Sequence, residues 1–147
     1  KQNVYDSSVH VPLVMRGPGI PKGKRSEAMC YLLDVMPTVL EKAGIARPEG
    51  LDGRSLIQVI AGGKAKHRES LLFAYRAFQR AVQDERWKLI EYDVAGRKTT
   101  QLFDLTDDPE ETRSLAGEPA HAATVDRLRG ELARLRKEWG DPLSKDR

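Results

Sequence analysis

The sequence predicts two pieces of different class: residues 1–66 as the end of a large α/β domain, and residues 67–147 as a small α+β subdomain. Three patterns carry this expectation. Residues 9–15 form one nearly continuous apolar run, the kind buried on both faces of a sheet, with no second run of its kind. Residues 71–105 hold four short strand-like runs separated by turn signals, which predicts a four-stranded antiparallel meander. Residues 120–139 carry apolar side chains at three- and four-residue steps, which predicts a helix packed across that sheet.

Taken in order, the run 9–15 contains Pro12, which suits the start or edge of a strand, and it stops at a dense turn signal over 16–23. A helix follows over 35–43. Asp34 is placed as its N-cap, Pro37 in its first turn where no intrahelical bond is lost, and Gly44 just past its end. A shorter helix is predicted over 55–61, ended by Gly62 and Gly63. The four strands are placed at 71–75, 80–83, 87–92 and 101–105, with turns at 84–86 and 93–98. Asp108, Pro109, Glu110 and Glu111 read as an N-cap, a proline at N1 and an acidic first turn. In the last helix Val125, Leu128, Leu132, Leu135 and Trp139 form one stripe. Asp126 with Arg129, and Glu131 with Arg134, are spaced for i,i+3 pairs on the wet side.

Composition narrows the function. The 147 residues are 39% hydrophobic and 32% charged, which suits a folded globular chain. A net charge of +3, with bases interleaved among acids, is too small to indicate nucleic acid. No apolar run approaches the length needed to span a bilayer. The single Cys30 excludes an internal disulfide and a multi-cysteine zinc site. The first residues lack the apolar core of a signal peptide.

Candidate sites are sparse. Lys1, Tyr5, Asp6 and His10 precede the apolar run, and on residue types alone they fit either anion recognition at a strand end or a solvated loop. Asp6, Ser7, Ser8 and His10 are too close along an extended chain to converge as a catalytic triad. The acids of 104–111 lack the spacing of a calcium loop, and capping accounts for them. Cys30 reads as a small buried hydrophobe, and the histidines have no metal-binding spacing.

Several phrases, in order, resemble one family. They are Lys1-x-x-x-Tyr5-Asp6, Val9-His10-Val11-Pro12-Leu13, Arg16-Gly17-Pro18-Gly19, and Leu33-Asp34-Val35-Met36-Pro37-Thr38-Val39-Leu40. Ala43-Gly44-Ile45, Leu51-Asp52-Gly53-Arg54-Ser55-Leu56, Arg80-Ala81-Val82, Trp87-Lys88-Leu89-Ile90, Leu102-Phe103-Asp104-Leu105 and Asp108-Pro109-x-Glu111 follow. Together they resemble the C-terminal part of a type I sulfatase, of the arylsulfatase family in the alkaline phosphatase superfamily.

That resemblance implies an alkaline-phosphatase-like α/β domain ending near residue 66. It also implies a parent enzyme that hydrolyses sulfate esters with a formylglycine nucleophile and a divalent cation, usually calcium. The nucleophile comes from a C/S-x-P-x-R motif, and this sequence does not supply one. Cys30 is followed by Leu32 where Pro is needed and Asp34 where Arg is needed. The fragment is therefore expected to bind no cofactor and to be inactive alone. Lys1 matches the family's sulfate-contacting lysine. Asp6 stands where Glu is common, and His10 where Arg is usual. His10, Tyr75 and Arg76 are carried as further substrate-binding candidates. A related phosphonate monoester or phosphodiester hydrolase, and a stand-alone binding module without chemistry, are the alternatives. The resemblance implies periplasmic or secreted placement of the parent, while the sequence itself gives no compartment. Apolar surface of the large-domain part predicts self-association of the isolated chain.

Overall fold

The computed structural model describes residues 2–62 and 66–143. Two compact units are present: Lys1–Val11 with Leu72–Arg147, and Pro12–Leu71.

The first unit is built on a four-stranded sheet, β1 (Leu71–Tyr75), β2 (Gln79–Gln83), β3 (Trp87–Val94) and β4 (Arg97–Asp104), in sequence order. The ladders β2–β3 and β3–β4 are antiparallel, with Ala81 opposite Ile90 and Leu89 opposite Leu102. Val94 pairs with Arg97, so Ala95 and Gly96 form a two-residue loop. Both have positive φ, 52° and 81°, the combination that matches the twist of a hairpin.

Side chains alternate across the central strands, and both faces are covered. On one face Val82, Leu89 and Leu102 pack with Val125, Leu128, Leu132 and Leu135. Those last four lie on the long helix (Ala122–Glu138), preceded by a 3₁₀ turn over Pro119–His121. On the other face Ala81, Ile90 and Phe103 pack with Val4 from the start of the chain. The meander and the crossing helix are as the sequence predicts, except that β3 and β4 run on through most of the predicted 93–98 turn and leave only Ala95 and Gly96 as the loop. Beyond the helix, the Asp141 carboxylate accepts two hydrogen bonds from the buried Arg80 guanidinium, at 2.7 and 2.9 Å, and one from Arg136 at 2.8 Å. Arg80 is the main reason the Asp141 carboxyl is held far below the usual range.

The second unit has α2 (Val35–Lys42), entered through a 3₁₀ turn over Leu32–Asp34, and a single helical turn, α3 (Ile57–Ile60). The helix over 57–60 is shorter than the predicted span. Asp34 occupies the N-cap position of α2, yet its side chain makes no capping hydrogen bond there. It is turned to other partners, described below.

Two expectations are corrected. Residues 9–15 do not form a buried strand. The chain makes a short helical turn, α1 (Asp6–Val9), and then runs irregularly, with Val11, Leu13 and Val14 exposed by 47%, 41% and 89%. A strand needs a neighbour to pair with, and among the described residues the sheet is the β1–β4 meander. Residues 108–111 do not start a helix either. Asp108 caps the turn, accepting from the Thr112 and Arg113 amides at 2.9 Å each. Glu111 then adopts φ 54°, a left-handed conformation that cannot continue a helix.

Candidate functional site

The start of the chain is fastened to the sheet by a buried ion cluster. Lys88, on β3, has no solvent exposure at all. Its Nζ lies 2.6 Å from Asp6 Oδ1 and 2.9 Å from Glu111 Oε1, and 5.3 Å above the Phe73 ring. A lysine withdrawn this far from water is tolerable only with opposite charge beside it. Glu111 closes the loop: its Oε2 accepts the Asp6 amide at 2.6 Å. Each carboxylate therefore meets the ammonium while one of them also holds the other's backbone.

Tyr5 extends this attachment. Its ring lies 5.9 Å from Phe103, and its hydroxyl donates to Gln101 at 2.6 Å while accepting from Tyr92 at 3.0 Å. Burial, reinforced by the Tyr5 hydrogen bond, pushes the Tyr92 hydroxyl well up. With Val4 at 1% exposure beneath, residues 4–6 are held by apolar packing, two hydroxyls and an ion cluster together.

Residues 12–71 have their own hub. The Asp34 carboxylate is fully buried. Both its oxygens accept from the Arg68 guanidinium; Oδ1 also accepts the Arg54 amide at 2.7 Å and Oδ2 the Tyr31 amide at 2.8 Å. His67 Nε2 stands 3.2 Å from Oδ2, and the Arg68 guanidinium lies 4.7 Å over the Tyr31 ring. Burial alone would raise this carboxyl, but the hydrogen bonds from Arg68, Arg54 and Tyr31 outweigh it and hold it below the usual range. Gly53 explains how the Arg54 amide arrives: a Cβ there would sit 2.1 Å from the Leu33 carbonyl oxygen, so only glycine lets the two chains pass. Next to the hub, burial pushes the Cys30 thiol up, Asp34 adds to the rise and Arg68 opposes it. That setting keeps Cys30 a thiol rather than a reactive thiolate.

The sequence-predicted residues fall as follows. Lys1 lies outside the described residues. His10 ends α1 with its ring exposed by 78% and Nδ1 3.4 Å from Asp6 Oδ2. Tyr75 is half-buried against the same apolar cluster as Val4. Arg76 is exposed in the β1–β2 loop at φ 47°, its guanidinium 5.6 Å from the Tyr75 ring, and its carbonyl accepts from Arg80 at 2.6 Å. Lys88, Glu111 and the Asp34–Arg68 pair escaped the sequence reading. The usable signal was a lysine set between Trp87 and Leu89-Ile90 in a strand whose neighbours are buried on both faces, but its partner Asp6 lies 82 residues away.

The carboxylates here are committed to cations. Asp6 and Glu111 face Lys88, Asp34 faces Arg68, Asp104 faces Arg86 at 2.6 Å, and Asp141 faces Arg80. Among the described residues no group of three or more His, Cys, Asp or Glu side chains could hold a metal ion. These residues do not fit a catalytic cation.

The four-stranded meander with its C-terminal helix superposes on the corresponding part of solved sulfatase structures. The profile of the family described as N-sulphoglucosamine sulphohydrolase, C-terminal, matches residues 1–138, and the chain belongs to that family. Arylsulfatase K of Mus musculus is 35% identical over 130 residues, 80% of this chain and 24% of that protein. The Homo sapiens arylsulfatase K is 34% identical over 128 residues, 79% of this chain and 24% of its own. A Bacteroides thetaiotaomicron structure, provisionally described as a sulfatase, superposes with a TM-score of 0.82 at 27% identity, covering 99% of this chain and 33% of that one. A phosphonate monoester hydrolase from Silicibacter pomeroyi gives 0.80 at 30% identity, covering 94% and 31%. The chain thus spans about a quarter of the length of these curated relatives.

Proposed function

We propose that this chain is the C-terminal part of a sulfatase, that the whole protein hydrolyses sulfate esters, and that these 147 residues alone do not. The observation that carries this is the family match over residues 1–138 in a sequence with no C/S-x-P-x-R motif. In this reading residues 1–66 complete the large α/β domain and residues 67–147 form the C-terminal subdomain. Formylglycine and a divalent cation, calcium by resemblance, supply the nucleophile and charge neutralisation from elsewhere in the whole protein.

The residues of this chain bind and orient. Lys1 offers an ammonium, a compact point charge suited to one oxygen of a tetrahedral sulfate. His10, Tyr75 and Arg76 belong to the surroundings of the substrate. Similarity to the phosphonate monoester hydrolase is a similarity of the shared scaffold. The matched family and the arylsulfatase K relatives favour sulfate over phosphonate.

The test compares the whole protein and the 147-residue chain on an aryl sulfate and on a phosphonate monoester. Sulfate turnover by the whole protein only, weakened by Lys1→Ala, is expected. Sulfate turnover by the isolated chain, or a whole protein that prefers the phosphonate, overturns the reading.

A further inference from the structure

We propose that Arg76 binds an oxyanion of the substrate, and that Arg80 and Asp141 are positioning residues that fix the turn presenting it. The inference rests on the reading of Arg76 as a substrate neighbour and deepens it. Arg76 sits in the turn between β1 and β2, which the Phe78 amide closes onto the Tyr75 carbonyl at 3.2 Å. Its φ of 47° lies in the left-handed region, which costs a residue with a side chain and is ordinarily left to glycine. Yet the side chain here is an exposed guanidinium 5.6 Å from the Tyr75 ring, and among the described residues no carboxylate pairs with it. Arg86, Arg129 and Arg134 of the same unit each meet one. Fold stability would favour glycine at this position, so the reason for the arginine lies in its guanidinium. A planar fork of donors with no acid of its own suits a carboxylate or a sulfate.

The strained turn is braced from beneath. All three nitrogens of the buried Arg80 guanidinium are engaged. Nη1 donates to the Arg76 and Gln79 carbonyls at 2.6 and 2.8 Å, while Nε and Nη2 donate to the Asp141 carboxylate at 2.7 and 2.9 Å. Asp141 is fixed in turn by Arg136 of the long helix at 2.8 Å, and it accepts the Leu143 amide at 3.1 Å. On the other side of the turn, the Asp93 amide donates to the Phe78 carbonyl at 2.9 Å and ties it to β3. The Arg76 backbone is thus held at its own carbonyl by a residue anchored to both sheet and helix. An orienting group misplaced by about an ångström loses much of its effect.

The experiment uses the whole protein and reads KM and kcat for phenyl sulfate and 4-carboxyphenyl sulfate, inhibition by inorganic sulfate, and the thermal midpoint. Arg76→Ala is expected to weaken binding ~10- to 100-fold, the worth of a hydrogen bond to a charged group. Weaker inhibition by inorganic sulfate assigns the contact to the group being cleaved, and a KM rise confined to the carboxylated ester assigns it to a second anion. Arg76→Gly should bind as weakly as Arg76→Ala but melt above it, because glycine takes the positive φ without strain. Arg80→Lys, which keeps the charge but not the three-way fork, should shift the same constants by less, and Asp141→Asn serves if Arg80→Lys does not fold. A merely structural loss lowers the active fraction, hence apparent kcat, and leaves KM and inhibition where they were. In the double variant Arg80→Lys/Arg76→Ala, binding should be no weaker than in Arg76→Ala alone, because residues acting through one another are not additive. If Arg76→Ala weakens binding while the Arg80 and Asp141 variants lower only kcat and the thermal midpoint, the positioning role is overturned and the Arg76 contact stands. If Arg76→Ala moves neither KM nor inhibition, the contact and its brace both fall, while sulfate turnover by the unaltered whole protein leaves the sulfatase reading intact.

Discussion

The two units of this chain are ordered by opposite means. The sheet unit has an apolar core: Val82, Leu89, Leu102 and Leu128 have no exposure, and the helix stripe closes over them. In residues 12–71 half of the buried described residues are polar: Asp34, Thr38, Arg68 and Ser70 lie inside beside Pro37, Gly53, Leu56 and Leu71. Their large apolar side chains point outward instead, among them Leu32 (66%), Met36 (57%), Val39 (56%) and Ile45 (58%). Apolar side chains left in water on this scale mark a surface suited to contact with another body.

This contrast is broken most directly at Asp34. Replacing it with Ala removes the carboxylate from the buried Arg68 guanidinium and from the Arg54 and Tyr31 amides, at a cost of about 3–5 kcal/mol. Hydrogen exchange of α2 should accelerate accordingly, while β3 amides keep their protection. Equal loss in β3 would show that the two units do not depend on separate cores. The complementary change is Leu132→Ala, which opens a cavity under the helix and should cost about 3 kcal/mol. Here the loss should appear in β3 and β4, and α2 should be spared.

Acid tests the paired carboxylates of both units together. Asp34, Asp104 and Asp141 all have folded-state carboxyls below their ordinary value. Their contribution is therefore complete above the unfolded carboxylate range, about pH 4, and is lost as pH falls through the lower folded values. From these groups stability should be flat between about pH 7 and 5 and fall below about pH 4. Circular dichroism with exchange on both units checks this. A transition in either unit between about pH 7 and 5 would show that these carboxylates do not set its acid limit.

The meander and the long helix were legible because their signals are local. Alternation in β2–β4 and the stripe from Val125 to Leu135 are each contained within a few turns of chain. The misreadings share one cause, which is commitment to partners far away in sequence. Asp34 stands where an N-cap should, but Arg68 and Arg54 claim its carboxylate. Glu111 completes what reads as an acidic first turn, yet its side chain is taken by Lys88 and the Asp6 amide, and its backbone turns aside to reach them. The apolar run over 9–15 resembles a buried strand in pattern, but among the described residues it pairs with no strand. At the candidate site residue types left Lys1 and Asp6 between anion recognition and a solvated loop, and the family phrases singled out Lys1; nothing near Lys88 announced Asp6 as its partner.

The smallest expected effect sharpens the comparison by holding the chemistry constant. Arg134 on the long helix is an arginine between carboxylates, as Arg68 is an arginine on one. Its guanidinium bonds Glu131 at 2.8 Å and Glu138 at 2.6 Å, but more than half of its side chain is in water. Solvent already satisfies such charges, so Arg134→Ala should cost only about 0.3–0.5 kcal/mol, and less as salt is raised. Denaturant midpoints at low and high ionic strength measure it. A loss near that of Asp34→Ala would mean that ion pairing itself, wherever it sits, governs these units. A loss of a few tenths would place the difference in burial: the same pair of groups is a minor surface contact on the helix and the organising centre of residues 12–71.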